Sequence, residues 1–262
     1  MNIRGERILI LGDSLSALPP YTTQQSTIVD VLPGTSASSP GGVLAKHLLA
    51  QGAQAVRVNA RVGRSAISFM NLEKGLSQIA SDISAFRPTK VIVFLGTNDI
   101  DRGVTPDALA RTTTALRGIR DAFHLARAEV VALGPPSYKQ ARYTDGAPAV
   151  LATLQNVFGP DRVLDLQPLV PDAQRTTDGI HFTAAGAQAI APVIAARITA
   201  LGTPLATPTS TGTKIAWGVA SVVGFAAVTG LALYVAKRAA QDPRAFGFSI
   251  GKHALRYALK RR

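Results

Sequence analysis

Apolar residues in the first two hundred positions come in short unbroken runs separated by longer stretches of helical period. Ile8–Leu11 (ILIL), Val91–Leu95 (VIVFL) and the run EVVAL at 129–133 are continuous, not alternating. Strands buried on both faces show this pattern, whereas half-exposed strands alternate. The pattern predicts strands over Arg7–Leu11, Gln54–Asn59, Lys90–Leu95, Glu129–Leu133 and Arg162–Asp165. It predicts helices near 42–50, 72–85, 105–127, 146–157 and 183–201. Strand and helix alternate, so the expected fold is α/β: a five-stranded parallel sheet between two helical layers, joined by right-handed crossovers. In such sheets the ligand site lies beyond the carboxyl ends of the strands.

The pattern changes after Leu201. Residues 202–213 (GTPLATPTSTGT) have linker composition. Residues 215–236 carry no charge and are bounded by Lys214 and by Lys237 and Arg238, with Trp217 and Tyr234 near the two ends. As a helix they would extend about 33 Å, enough to cross a bilayer. The expected organisation is a domain over 1–201, a linker over 202–213, a transmembrane helix over 214–236 and a basic tail over 237–262. Ala220 and Gly224, and Ala226 and Gly230, have small-xxx-small spacing, a packing face through which the helix could self-associate. The apolar run at the start of the chain is too short for a signal peptide and leads straight into Gly12-Asp13-Ser14, so it is read as the first strand.

Charge sharpens this division. Of the 28 basic and 16 acidic residues, nine and one lie in 214–262, so +8 of the net +12 belongs to the tail. The rest of the chain lacks the broad basic footprint of a nucleic-acid-binding domain. Lys252, Arg256 and Lys260 share one helical face, with Ile250, Leu255 and Leu259 opposite. Such a basic amphipathic segment suits an anionic lipid surface, with nucleic acid as the less favoured partner. The chain has no cysteine, which excludes disulfides, a thiol nucleophile and thiolate-held metals. HExxH, P-loop, GxGxxG and GxSxG patterns are also missing, and no cofactor or metal is called for.

Four short polar blocks fall where predicted strands or loops end. Gly12-Asp13-Ser14-Leu15 follows the first strand, and Gly63 closes the stretch after the second. Gly96-Thr97-Asn98-Asp99 follows the third strand, and Asp178-Gly179-Ile180-His181 precedes the last helix. Each block alone reads as a helix cap or a turn. Their joint occurrence, in this order and on one sheet edge, points to a site.

In these blocks the chain resembles the SGNH (GDSL) hydrolase family, over roughly residues 5–201. The resemblance implies a flavodoxin-like three-layer fold and hydrolysis of esters or thioesters. It implies Ser14 as nucleophile, His181 as general base and Asp178 as the acid that orients it. The Ser14 and Gly63 backbone N–H groups and the Asn98 amide would form the oxyanion hole. The residue types suit the chemistry. A serine hydroxyl needs an adjacent base, and imidazole can take its proton and return it to the leaving group. A carboxylate three residues away can fix the imidazole tautomer. An amide and two N–H groups can meet a developing oxyanion, and glycine leaves that approach open.

The remaining features stand as expectations. Residues 17–41 form a long Pro/Ser/Thr-rich insertion after Ser14, read as a lid or part of the acyl pocket. Tyr138 and Tyr143 are read as surface residues, or as platforms for a sugar ring. His47 and His124 are read as surface or packing residues, and Asp13 and Asp99 as makers of structural hydrogen bonds. The leading function is a membrane-anchored serine esterase removing O-acetyl groups from carbohydrate or cell-wall polymers. A lysophospholipase or thioesterase acting on lipid, and a membrane assembly protein that keeps a hydrolase fold, are the alternatives. Lys237, Arg238, Arg244, Lys252 and Arg256 crowd the far side of the span, against Arg197 and Lys214 before it. The tail is therefore expected on the cytoplasmic or interior side, in a cell, virion or vesicle, with the domain facing the envelope.

Overall fold

A computed structural model describes residues 3–16, 27–31, 40–101, 103–136, 138–169 and 179–200. The linker, the 215–236 segment, the basic tail and Asp178 lie outside these residues. Among the described residues no helix is long and apolar enough to cross a membrane.

The strands are β1 (Arg7–Gly12), β2 (Thr27–Val31), β3 (Ala55–Ala60), β4 (Lys90–Phe94), β5 (Glu129–Leu133) and β6 (Val163–Leu164). The helices are α1 (Pro40–Ala50), α2 (Ala66–Asn71), α3 (Gly75–Phe86), α4 (Pro106–Leu125), α5 (Ala141–Thr144), α6 (Ala147–Phe158) and α7 (Ala184–Ala200). They form one sheet in the order β2-β3-β1-β4-β5-β6. All neighbours are parallel except β2, which pairs antiparallel with β3 from Thr27 opposite Ala60 to Val31 opposite Val56.

The sheet thus has six strands, not the expected five. The added strand comes from the insertion after Ser14, whose residues 27–31 carry three apolar side chains broken by Asp30. β2 is an edge strand, with Ile28 half-exposed and Asp30 paired to Arg57 at 2.6 Å. An edge strand has one solvated side and need not show the continuous apolar run that marks the others. The helix expected over 72–85 is α3, and a short helix that the pattern did not show, α2, precedes it. Ser65 caps α2 through a reciprocal capping box with Ser68, and the chain then turns at Lys74, in the left-handed region with φ 54°, before α3 begins.

Burial explains the layering. Ile8, Ile10, Val56, Val58, Ile92 and Phe94 form one core with Leu44 and Leu48 of α1 and Ile190 and Ile194 of α7. The alternate residues Leu9, Leu11, Val91 and Val93 are as deeply buried and face the opposite way. On that side α4 packs against α2, α3 and α6, contributing Leu116, Ile119 and Phe123. Each layer buries apolar area at about 25 cal/mol per Å². A sheet sealed on both faces leaves only its edges and strand ends open to a ligand.

Candidate active site

Three of the polar blocks converge beyond the carboxyl ends of β1, β3 and β4. After Gly12 the chain turns sharply, with Ser16 N–H donating to the Asp13 carbonyl at 3.0 Å and Leu15 N–H to Asp13 Oδ1 at 2.8 Å. This turn is packed with no room to spare. A Cβ on Gly12 would lie 2.3 Å from Ser16 Oγ, and one on Gly41 would lie 2.0 Å from the Ser16 carbonyl oxygen. Two glycines therefore let β1 and α1 close around the turn that presents Ser14.

Ser14 is half-buried, and its Oγ lies 2.9 Å from His181 Nε2. Residues 167 positions apart in the chain are thus within hydrogen-bond reach, as proton transfer requires. His181 stands just ahead of α7, whose start is capped by Thr183 Oγ1 accepting from Gly186 N–H at 3.1 Å. Asp178, expected to orient the imidazole, is outside the described residues.

Asn98 sits in the single turn Thr97–Asp99 that follows β4, and its Nδ2 donates to the Arg64 carbonyl at 3.0 Å and to Asp13 Oδ2 at 3.2 Å. The amide is therefore placed beside the Ser14 turn and the Gly63 loop at once. Gly63 has φ +73° and is exposed, with nothing near where a Cβ would stand. Glycine is there for its backbone conformation, which leaves the loop bare toward the site.

Two residues hold these loops together, one that sequence reasoning passed over and one that it read as structural. Arg64 is almost fully buried. Its Nη1 donates to the Gly12 carbonyl at 3.2 Å, the Asn59 carbonyl at 3.0 Å and Asn59 Oδ1 at 3.1 Å, and its Nη2 pairs with Glu73 at 2.8 Å. Its guanidinium lies 4.9 Å from the centre of the Phe69 ring. One side chain thus pins the ends of β1 and β3 to α2. An arginine in a polar loop carries no sequence signal of burial. Asp99 is the second. Its carboxylate accepts from the Ala66 and Ile67 N–H groups at 2.8 and 3.2 Å and from Thr112 Oγ1 at 3.3 Å. It caps α2 from another part of the chain, which local capping patterns cannot reveal.

Asp13 and Asp99 do make the structural hydrogen bonds expected of them, in unusual electrostatic settings. Burial pushes the Asp13 carboxyl up to about 7; the Asp99 charge adds to this, and the Leu15 N–H and Arg64 oppose it. Burial likewise raises Asp99 to about 6 against the pull of the Ala66 and Ile67 N–H groups.

Tyr138 and Tyr143 are neither surface residues nor exposed platforms: they are 5% and 4% exposed. His124 is exposed and His47 hydrogen-bonds Gln51, both as expected. A cavity of about 200 Å³ lined by Arg7, Asp30, Arg57 and Phe86 lies at the starts of β1 and β3, the opposite end of the sheet from Ser14. Among the described residues no group of side chains could hold a metal ion.

The profile of the GDSL-like lipase/acylhydrolase family matches residues 10–189, well over half of the chain. No curated protein sequence matches. Solved structures share the fold at low identity. An acetylxylan esterase of Geobacillus stearothermophilus, as a catalytic mutant, is 16% identical with a TM-score of 0.56 over 76% of this chain and 96% of that one. A putative arylesterase of Agrobacterium tumefaciens is 17% identical, TM-score 0.54, over 74% and 98%. An α/β hydrolase from the metagenome of Lake Arreo is 20% identical, TM-score 0.52, over 76% and 98%.

Proposed function

We propose a mechanism on the premise that this chain belongs to the GDSL-like lipase/acylhydrolase family and is an ester-hydrolysing serine hydrolase: Ser14 attacks the ester carbonyl and His181 manages the proton. The observation that carries this reading is the 2.9 Å contact between Ser14 Oγ and His181 Nε2 at the sheet edge, beside Asn98. Nε2 takes the hydroxyl proton as Oγ adds to the carbonyl carbon. The tetrahedral oxyanion is met by the Ser14 and Gly63 backbone N–H groups and by Asn98 Nδ2, which exchanges its longer bond, at 3.2 Å to Asp13, for the substrate oxygen. Collapse returns the proton to the departing alcohol and leaves an acyl group on Ser14. A water activated by the same imidazole then releases the acid. Asp178, three residues before the base, orients the ring and stabilises its charged form.

The finer reading is removal of O-acetyl groups from carbohydrate or cell-wall polymers, by an enzyme tethered through 215–236. It is supported by the charge-free span with its basic flank, and by the chemistry named for the Geobacillus relative, an acetylxylan esterase. The test is an ester panel varied in acyl length. Acetyl esters should turn over fastest, and Ser14→Ala should abolish turnover of every member. A marked preference for acyl chains of about eight carbons or more would replace this substrate with a lipid. Wild-type rates in Ser14→Ala would remove the mechanism itself.

A further inference from the structure

The loop after β5 touches both halves of the catalytic arrangement. Tyr138 is buried and its hydroxyl lies 2.6 Å from Thr97 Oγ1, the residue next to Asn98. The following residue, Lys139, donates its N–H to the Gly179 carbonyl at 3.0 Å, two positions before His181. The two backbones cross as closely as chemistry allows: Gly179 has φ +67°, and a Cβ there would lie 2.6 Å from the Cβ of Lys139. The same loop is fastened again. Tyr143 donates its hydroxyl proton to Asp101 Oδ1 at 2.7 Å, Thr144 Oγ1 donates to the Tyr138 carbonyl at 2.7 Å, and the two tyrosine rings pack at a 46° tilt with centroids 5.3 Å apart. Segment 97–101 carries the oxyanion donor and segment 179–181 carries the base. Both are hung on residues 138–144.

We propose that Tyr138 is a positioning residue: its hydroxyl bond to Thr97, with the adjoining Lys139–Gly179 backbone bond, keeps Asn98 and His181 in register about Ser14. This rests on the serine-esterase reading above. The physical need is plain. Base and oxyanion donor must act on one carbonyl in one transition state, and displacements near 1 Å cost rate on the order of a hundredfold. Ser14 is set by β1, Asn98 by β4 and His181 by the approach to α7. The Tyr138 loop is where the second and third of these are tied together without passing through the nucleophile. A tyrosine serving only as core packing would do its work with the ring alone.

Tyr138→Phe keeps the ring and removes the hydroxyl, so it separates the two roles. With full-length protein and p-nitrophenyl acetate, kcat should fall about ten- to a hundredfold while KM stays within about twofold. Thr97→Val should show the same loss, and Thr97→Ser, which keeps the hydroxyl, should stay near wild type. The double variant Thr97→Val/Tyr138→Phe should be no slower than the slower single variant, because both remove one bond. If Tyr138→Phe fails to fold, the comparison of Thr97→Val with Thr97→Ser carries the test. A kcat for Tyr138→Phe within twofold of wild type, equal rates for the two Thr97 variants, or losses that multiply in the double variant would overturn the proposal. Ser14→Ala in parallel separates the two failures: turnover persisting there would sink the underlying mechanism and this proposal with it, whereas an inactive Ser14→Ala beside a wild-type Tyr138→Phe would overturn this proposal alone.

Discussion

Asp13 and Asp99 show how single residues around Ser14 trade stability for placement. Each is an acid held up in the neutral range, at about 7 and about 6, by burial. In the unfolded chain both ionise near the ordinary value of 3.8. Between that value and the folded ones the unfolded chain binds fewer protons, so the stability these groups contribute is complete at low pH and is lost as pH rises through 6 and 7. Asp13→Asn removes one of these titrations. Thermal melts at about pH 4 and pH 8 should therefore show the variant gaining relative to wild type as pH rises; a gain toward low pH would contradict the sign. Asn98→Ala removes the proposed side-chain donor to the oxyanion and should lower kcat by about 10²–10³ with the protein still folded, as read by steady-state kinetics and circular dichroism. Arg64 belongs to the same scale. Arg64→Met strips donors from Gly12 and Asn59 and the 2.8 Å ion-pair partner from Glu73, a side chain only 4% exposed. It should cost about 3–5 kcal/mol in denaturant unfolding, because it breaks a buried pair from one side.

Elements meet at the Ser14 turn, and their closeness is testable at Gly41. A Cβ there would sit 2.0 Å from a backbone oxygen of Ser16, so α1 or the turn must move. Gly41→Ala should destabilise by about 1–3 kcal/mol or more and lower kcat with it, whereas an exposed alanine substitution at Leu125 should do neither. The same contrast explains what the sequence made legible. β1, β4 and β5 were read within one residue of their ends because strands sealed on both faces are written as unbroken apolar runs. The four blocks were legible because each follows a strand or precedes a helix with residues those turns do not all require. β2 was missed because an edge strand is half solvated. α2 was missed because its cap is built from serines and from Asp99, which lies thirty-three residues away from Ala66. Tyr138 and Tyr143 were misread because the hydroxyl partners that permit their burial, Thr97 and Asp101, are about 41 and 42 positions distant. Long-range polar satisfaction has no local signature, and the side chains buried around Ser14 and Asn98 are of that kind.

At the scale of the whole chain, the described residues form a sheet sealed by helices on both faces, with the Ser14–His181 pair at one end and a charged cavity at the other. The core of the described residues runs from Ile3 to Ile198, and a chain ending at Leu201 should be soluble, monodisperse and as active on p-nitrophenyl acetate as the full protein; size-exclusion chromatography and kinetics check this. Aggregation of the shortened chain, with the full chain well behaved in detergent, would mean that the 215–236 segment covers part of the domain. The proposed tether carries its own expectation. Protease added to intact cells or particles should remove the domain and spare the basic tail, and the reverse pattern would put the esterase on the interior side. The proposed mechanism depends on Ser14 being the group that is acylated. The most direct measurement is to label the folded protein with a fluorophosphonate and locate the adduct by peptide mass spectrometry. The 2.9 Å contact with His181 predicts a single adduct on Ser14, formed at least about a thousandfold more slowly in His181→Ala. An adduct on another serine, or none on protein that still hydrolyses esters, would contradict it.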